Sequence, residues 1–270
     1  MVFNRVPSRS KIIPVKLMEQ VIHEKDGRYK RRVNFPGVAI IRIFLYTGIM
    51  GMLFYKWHQR KAFNYFVSGK YDKAESSFLR LLEADPNKVG MRHNLALVKL
   101  ALGKHGEAVK LLLDEVDRFG GVYPRYRALG DSFYLWGKAA EAAGWYRKAL
   151  EEGAPSKEDR SFLEKRLEIC GNEASFADAM EGIRLFNEGN KALQKGDSPA
   201  AAESYRKSAE LDPTNFMTRN NLGSIYMNYE KDYPRAAEEF QAALEYSDLP
   251  LIQKNLQMCR DEERKHHEKD

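Results

Sequence analysis

Six histidines and two cysteines are the residues of this 270-residue chain best suited to metal or covalent chemistry, and their spacing supports neither. His23, His58, His93 and His105 stand apart, while His266 and His267 sit in a charged C-terminal run that reads as solvated tail, with no further ligand nearby. Cys170 and Cys259 are 89 residues apart, form no CxxC and read as buried structural thiols. The sequence has no G-x-G-x-x-G or P-loop, no G-x-S-x-G elbow and no H-E-x-x-H helix. Its acidic residues alternate with Lys and Arg in the manner of solvated helix faces. No cofactor or metal is implied, no nucleophile is set beside a base, and the chain is not expected to be an enzyme or to take a small-molecule substrate.

Charge narrows what it could bind. Residues 1–57 hold 11 Lys/Arg against 3 Asp/Glu, and residues 58–270 hold 33 against 35. The sequence pI of 9.1 therefore belongs to the N-terminal segment, and no nucleic acid partner is expected for the body. A protein or peptide is the partner class that remains, and holding one requires a surface assembled from many elements.

Those elements recur. A small residue, an aromatic three later, a Gly, an Ala and an aromatic four beyond it, often followed by Pro, repeat along the body. The first unit carries Ala62, Tyr65, Gly69, Ala74, Phe78 and Pro86; the second Ala96, Lys99, Gly103, Ala108 and Leu112; the third Gly130, Phe133, Gly137, Ala142, Tyr146, Ala149 and Pro155. The fourth has Gly189, Ala192, Gly196, Ala201, Tyr205 and Pro213, and the fifth Gly223, Tyr226, Ala236, Phe240 and Ala243. A period of 34 residues made of two short helices implies a solenoid, in which small residues let helices approach, aromatics fill the gap between them, Gly ends the first helix and Pro stops the second.

This pattern resembles the tetratricopeptide repeat (TPR) family. The resemblance implies an all-α solenoid of about five helical hairpins that works as a protein-interaction scaffold. Departures are Lys99 in place of an aromatic, a second unit that ends at Phe119-Gly120-Gly121 without Pro, and an extra residue between Tyr229 and Pro234. The reading gives three repeats over 58–155, a connecting segment over 156–181 with one clear helix capped by Ser156, and two repeats over 182–248. Residues 249–270 are expected to hold a covering helix to about Glu263 and then a charged tail.

Stacked hairpins curve so that the first helix of each unit lines a concave groove. The inward positions are Phe63 and Phe66; His93, Leu97 and Leu100; Arg127, Asp131 and Tyr134; and, further on, Asn190 and Asn221. The front of this groove is apolar and aromatic with one Arg/Asp pair, suited to an amphipathic helix or an extended apolar segment. Asn190 and Asn221 resemble two of the asparagines by which chaperone-binding members of the family hold a terminal carboxylate. The lysine that this resemblance implies four residues before Asn190 is here Phe186, and no third repeat follows to supply further cations.

One segment differs from the body, whose composition gives the whole chain a mean hydropathy of −0.57. Residues 35–57 form an apolar stretch preceded by a basic segment over 1–34, and from Phe35 to Tyr55 the sole charge is Arg42. As a helix these 21 residues would span about 31 Å, close to a bilayer's hydrocarbon thickness. Asn34 is placed to cap it, Pro36 suits its first turn, Tyr55 and Trp57 suit an interfacial belt, and Arg42 lies near enough to one end to snorkel. A single transmembrane helix is expected, its basic flank near anionic lipids, running into the first repeat without a linker.

Lys25, Arg28, Lys30, Arg31 and Arg32 outweigh the cations beyond the stretch, which orients the N-terminus to the cytoplasm and the solenoid to the opposite side. The sequence thus suggests a membrane-anchored scaffold in the assembly of an envelope-associated complex. A co-chaperone gripping a chaperone's C-terminal peptide and an organellar import or assembly receptor are the alternatives.

Overall fold

The computed structural model describes residues 55–267, which are built of helices and turns with no strand among them. The basic segment and the apolar stretch as far as residue 54 lie outside the described residues. Of the expected 35–57 span only Tyr55–Trp57 are described, and they belong to α1, helical over residues 55–67. Among the described residues no helix is long and apolar enough to cross a membrane.

After α1 the order is α2 (Tyr71–Ala84), α3 (Met91–Ala101), α4 (His105–Phe119), α5 (Tyr123–Leu135) and α6 (Ala139–Glu152). Then come α7 (Lys157–Cys170), α8 (Glu173–Gln194), α9 (Ser198–Leu211), α10 (Phe216–Ile225), α11 (Tyr233–Ala243) and α12 (Pro250–His267). Consecutive helices pack on one another along the chain, the organisation of a solenoid.

The sequence marks explain the hairpins. Gly69, Gly103, Gly137 and Gly196 occupy the same place between paired helices, each at positive φ between 69° and 82°, a conformation that side chains with a Cβ disfavour. The fifth hairpin has no glycine there. Its extra residue is taken up as a π-helical turn, Tyr226–Glu230, and Lys231 adopts the left-handed conformation at φ 59°. In the last three hairpins the small residue of the first helix, Gly130, Gly189 or Gly223, lies under the aromatic of its partner. A Cβ at Gly130 would stand 2.4 Å from the Tyr146 ring, and one at Gly189 would stand 2.6 Å from Tyr205. Both tyrosines, with Phe78 and Phe240, are at most 1% exposed, so these contacts form the spine of the core.

Helix starts are capped locally. Ser156, Asn172, Asp197 and Asp232 each accept a hydrogen bond from the backbone N–H three residues on, at 2.9–3.1 Å, and each cap is worth about 1 kcal/mol. Pro124, Pro199 and Pro234 stand in first turns, where a missing N–H costs no helical bond.

The connecting segment differs from its expectation. It holds α7 and also the first nine residues of α8, a 22-residue helix that runs on to become the first helix of the fourth hairpin. At the C-terminus the covering helix does not stop near Glu263. α12 continues to His267, with Arg264 paired to Asp261 and Lys265 to Glu262, so those cations extend the helix where a loose tail was expected.

Polar pairs tie the hairpins together. Lys99, which stands where other units have an aromatic, is buried and pairs with Glu75 of α2 and Glu107 of α4. Glu115 is fully buried, accepts the Gly90 N–H at 2.5 Å and lies 3.8 Å from Arg125 of α5. Arg166 of α7 is 8% exposed and reaches the fully buried Asp212 at the end of α9 at 3.3 Å. That last pair joins the connecting segment, which packs on the third hairpin, to the fourth hairpin.

Candidate partner-binding groove

The inward positions of the first helices fall into rows with the 34-residue period: Gln59, His93 and Arg127; Phe63, Leu97 and Asp131; Phe66, Leu100 and Tyr134. Their environments differ from repeat to repeat. Phe63 is 37% exposed and sits edge-on to the buried Phe78, with ring centres 5.2 Å apart. Phe66 leans on Tyr71 at 5.8 Å and is half-buried, as are Leu97 and Leu100. His93 is half-buried as well. Burial pulls its pKa below the ordinary value of 6.5, more strongly than Glu115 pushes it up, so the imidazole is neutral near pH 7.

Two third-repeat members of these rows, Arg127 and Tyr134, are covered by other helices, while Asp131 stays half-buried. Tyr134 is 1% exposed, edge-on to Phe176 of α8 at 5.3 Å, with the Arg166 guanidinium 3.6 Å above its ring. Arg127 pairs with Asp159 of α7, lies over the Phe162 ring at 4.3 Å and accounts for the Tyr123 hydroxyl at 3.2 Å. Asp131 accepts a hydrogen bond from the Tyr146 hydroxyl at 2.8 Å. For Arg127 and Tyr134 the physical reason is the connecting segment, which packs α7 and the start of α8 onto α5 and α6. Of the expected Arg/Asp pair, Arg127 therefore belongs to a joint between hairpin three and α7, and Asp131 is held within its own hairpin, 3.9 Å from Arg127.

The two asparagines are brought together and are engaged with their neighbours. Asn190 Oδ1 accepts from the Tyr205 hydroxyl at 2.7 Å and from Asn221 Nδ2 at 3.4 Å. Asn220 Nδ2 donates to Asn221 Oδ1, and Asn255 Nδ2 of α12 donates to Asn220 Oδ1, each at 3.4 Å. Phe186 leans on Tyr205 at 5.9 Å, so the position where the resemblance implies a lysine is part of the packing. This amide chain ties α8, α10 and α12 to one another, and it offers no cation for a carboxylate.

Three residues that the groove projection missed stand out. Lys56 and Arg60 are exposed and precede Phe63 and Val67 at helical spacing, so all four share one stripe of α1. Lys88 is exposed, with its Nζ 5.6 Å from the Tyr55 ring centre. The signal for the first two was present as an i, i+4 basic pair one turn before the aromatics. Elsewhere, a depression of about 640 Å3 between the start of α4 and the end of α5 is lined by His105, Gly106, Phe133 and Trp136. Another of about 410 Å3 lies between the start of α7 and Tyr246 beyond α11. Among the described residues no cluster of His, Cys, Asp and Glu could hold a metal ion.

The fold and this surface define a helical-hairpin solenoid whose inward positions in the first two hairpins are exposed or half-buried among the described residues. The tetratricopeptide repeat family matches residues 61–124, 93–157 and 186–250, together more than half of the chain, and the chain belongs to that family. Tetratricopeptide repeat protein 8 of Caenorhabditis elegans is 27% identical over 155 residues, which are 53% of this chain and 31% of that protein, so the chain spans about a third of the relative's length. Among solved structures, the chain is similar to the TPR2AB domain of yeast Sti1 in its pHSP90 complex, at 15% identity over 80% of this chain and 86% of that one, TM-score 0.39. It is also similar to MamA from Desulfovibrio magneticus RS-1, at 14% identity over 71% and 94%, TM-score 0.40.

Proposed function

We propose that the chain is a membrane-anchored scaffold that holds a protein or peptide partner on the inward face of its first two repeats, in the assembly of an envelope-associated complex. The observation that carries the binding half is the contrast within the row of Phe66, Leu100 and Tyr134. Phe66 and Leu100 stay half-buried, with Phe63 exposed and Leu97 half-buried beside them, while Tyr134 at the position equivalent to Phe66 and Leu100 is 1% exposed and covered by Phe176 of the connecting segment. An apolar surface of this kind fits one face of an amphipathic helix or the alternate side chains of an extended segment. The anchor rests on the 21-residue apolar stretch with its single Arg42, and the orientation, with the solenoid on the extracytoplasmic side, rests on the basic residues before it.

Two experiments test the halves separately. The full chain should stay in the membrane pellet after carbonate extraction, and release into the supernatant refutes the anchor. Partner co-purification from solubilised membranes should be lost on Phe63→Asp in a protein that keeps its helical circular dichroism, and retention of the partner refutes the groove.

A further inference from the structure

We propose that the open groove of repeats one and two is selective for an acidic segment carrying apolar anchors; this rests on the reading of that groove as the partner site. The argument is one of charge. Residues 55–119, the first two hairpins, hold twelve Lys/Arg against eight Asp/Glu, while residues 182–249, the last two, hold eight against eleven, so the basic charge of the solenoid gathers at its front. Within the front, the buried cations are already neutralised: Lys99 by Glu75 and Glu107, and Arg92 by Asp114. Lys56, Arg60 and Lys88 are exposed and have no ion-pair partner among the described residues. Asp85, the acid at that end, accepts from the Asn87 N–H at 3.3 Å within its own turn.

These cations lie beside the apolar positions. Lys56 and Arg60 continue the stripe of Phe63 and Val67, and Lys88 closes over the Tyr55 ring at the same end of α1. The opposite end of the groove is closed by Tyr134 beneath Phe176 and by Arg127 bound to Asp159. What stays open is therefore two first helices wide, and packed helices stand about 8–10 Å apart, which gives room for about six residues of extended chain. Apolar side chains of the ligand meet Phe63, Phe66, Leu97 and Leu100, and its carboxylates meet the three cations. Such pairing sets register and rejects basic competitors more than it adds affinity.

The test is selection of a displayed random dodecapeptide library on the full-length protein reconstituted in phosphatidylcholine nanodiscs. Enriched peptides are then measured by fluorescence anisotropy at 50 and 300 mM NaCl. Expected are peptides with more Asp/Glu than Lys/Arg and at least two large apolar residues, whose dissociation constant rises tenfold or more in the Lys56→Glu/Arg60→Glu variant and at the higher salt. Neutral or basic peptides that Phe63→Ser still abolishes would overturn the acidic partner and leave the groove standing. Binding that survives Phe63→Ser would overturn both. Cations that respond only to phosphatidylserine vesicles, with peptide affinity unchanged by the double charge swap, would assign them to the lipid surface and likewise overturn the proposal.

Discussion

Replacing Arg166 by Met should sever the joint between the connecting segment and the fourth hairpin. Arg166 is 8% exposed and Asp212 fully buried, with Nη1 to Oδ2 at 3.3 Å. Burial alone would lower the guanidinium's pKa; the Asp212 charge and its neighbours more than offset this, and the net shift is upward. Removing one member of a buried pair costs about 3–5 kcal/mol, because the other charge is left without compensation. Asp212→Asn should cost less, about 2 kcal/mol, since Arg166 keeps the Tyr134 and Phe162 rings at 3.6 and 5.1 Å and an amide oxygen still serves the Thr214 N–H at 3.1 Å. With both charges gone no ion is stranded, so the double variant should be more stable than Arg166→Met alone.

Urea titrations of the four proteins, followed by circular dichroism, close the cycle and should give a coupling of about 2 kcal/mol or more. Arg166→Met should also split one transition into two, because its joint is where cooperativity passes between the blocks. A loss under about 1 kcal/mol for Arg166→Met, or a double variant equal to the sum of the singles, refutes the reasoning.

Other outcomes follow from the same contacts. Gly130→Ala puts a Cβ 2.4 Å from Tyr146 and should destabilise by about 1–3 kcal/mol, whereas Gly144→Ala in α6 meets nothing within 4 Å and should stabilise by about 0.5–1 kcal/mol; thermal melts compare them. His93 and His105 both have pKa values held below 6.5 by burial, so on acidification the unfolded chain takes up protons before the folded one does. Stability should be full above pH 6.5 and decline below it, and His105→Gln should flatten that slope in denaturant titrations across pH. Burial pushes the thiols of Cys170 and Cys259 up to about 11, so both should label slowly with maleimide at pH 7, and Cys at the exposed Lys207 position should label many times faster in the folded protein.

The hairpins were legible because each depends on contacts between residues about 16 apart, such as Gly130 with Tyr146, that recur at nearly fixed spacing, one longer for Gly223 with Phe240 across the extra residue. The third-repeat groove positions were not. Tyr134 is buried by Phe176, 42 residues away in a segment outside the repeat, and no periodicity reports a contact of that kind. Lys99 was visible as a departure, but its meaning lies in Glu75, 24 residues earlier on another helix. The merging of the connector into α8 was hidden for a different reason: Gly182 stands at the boundary between residues 173–181 and the fourth unit and reads as a breaker, but it lies buried inside the helix, where a Cβ would come within 3.2 Å of Asp212 and the Ser208 carbonyl. Lys56 and Arg60 directly follow the apolar residues, and helical spacing alone puts them on the stripe of Phe63.

The claim that the front of the solenoid is where a partner sits is tested most directly by photo-crosslinking in cells. A photoreactive phenylalanine replaces Phe63 in one full-length protein and Lys207, exposed on α9, in another. A discrete crosslinked species from position 63, absent from position 207, is the expected result. No crosslink at 63, or the same species from both positions, would contradict it.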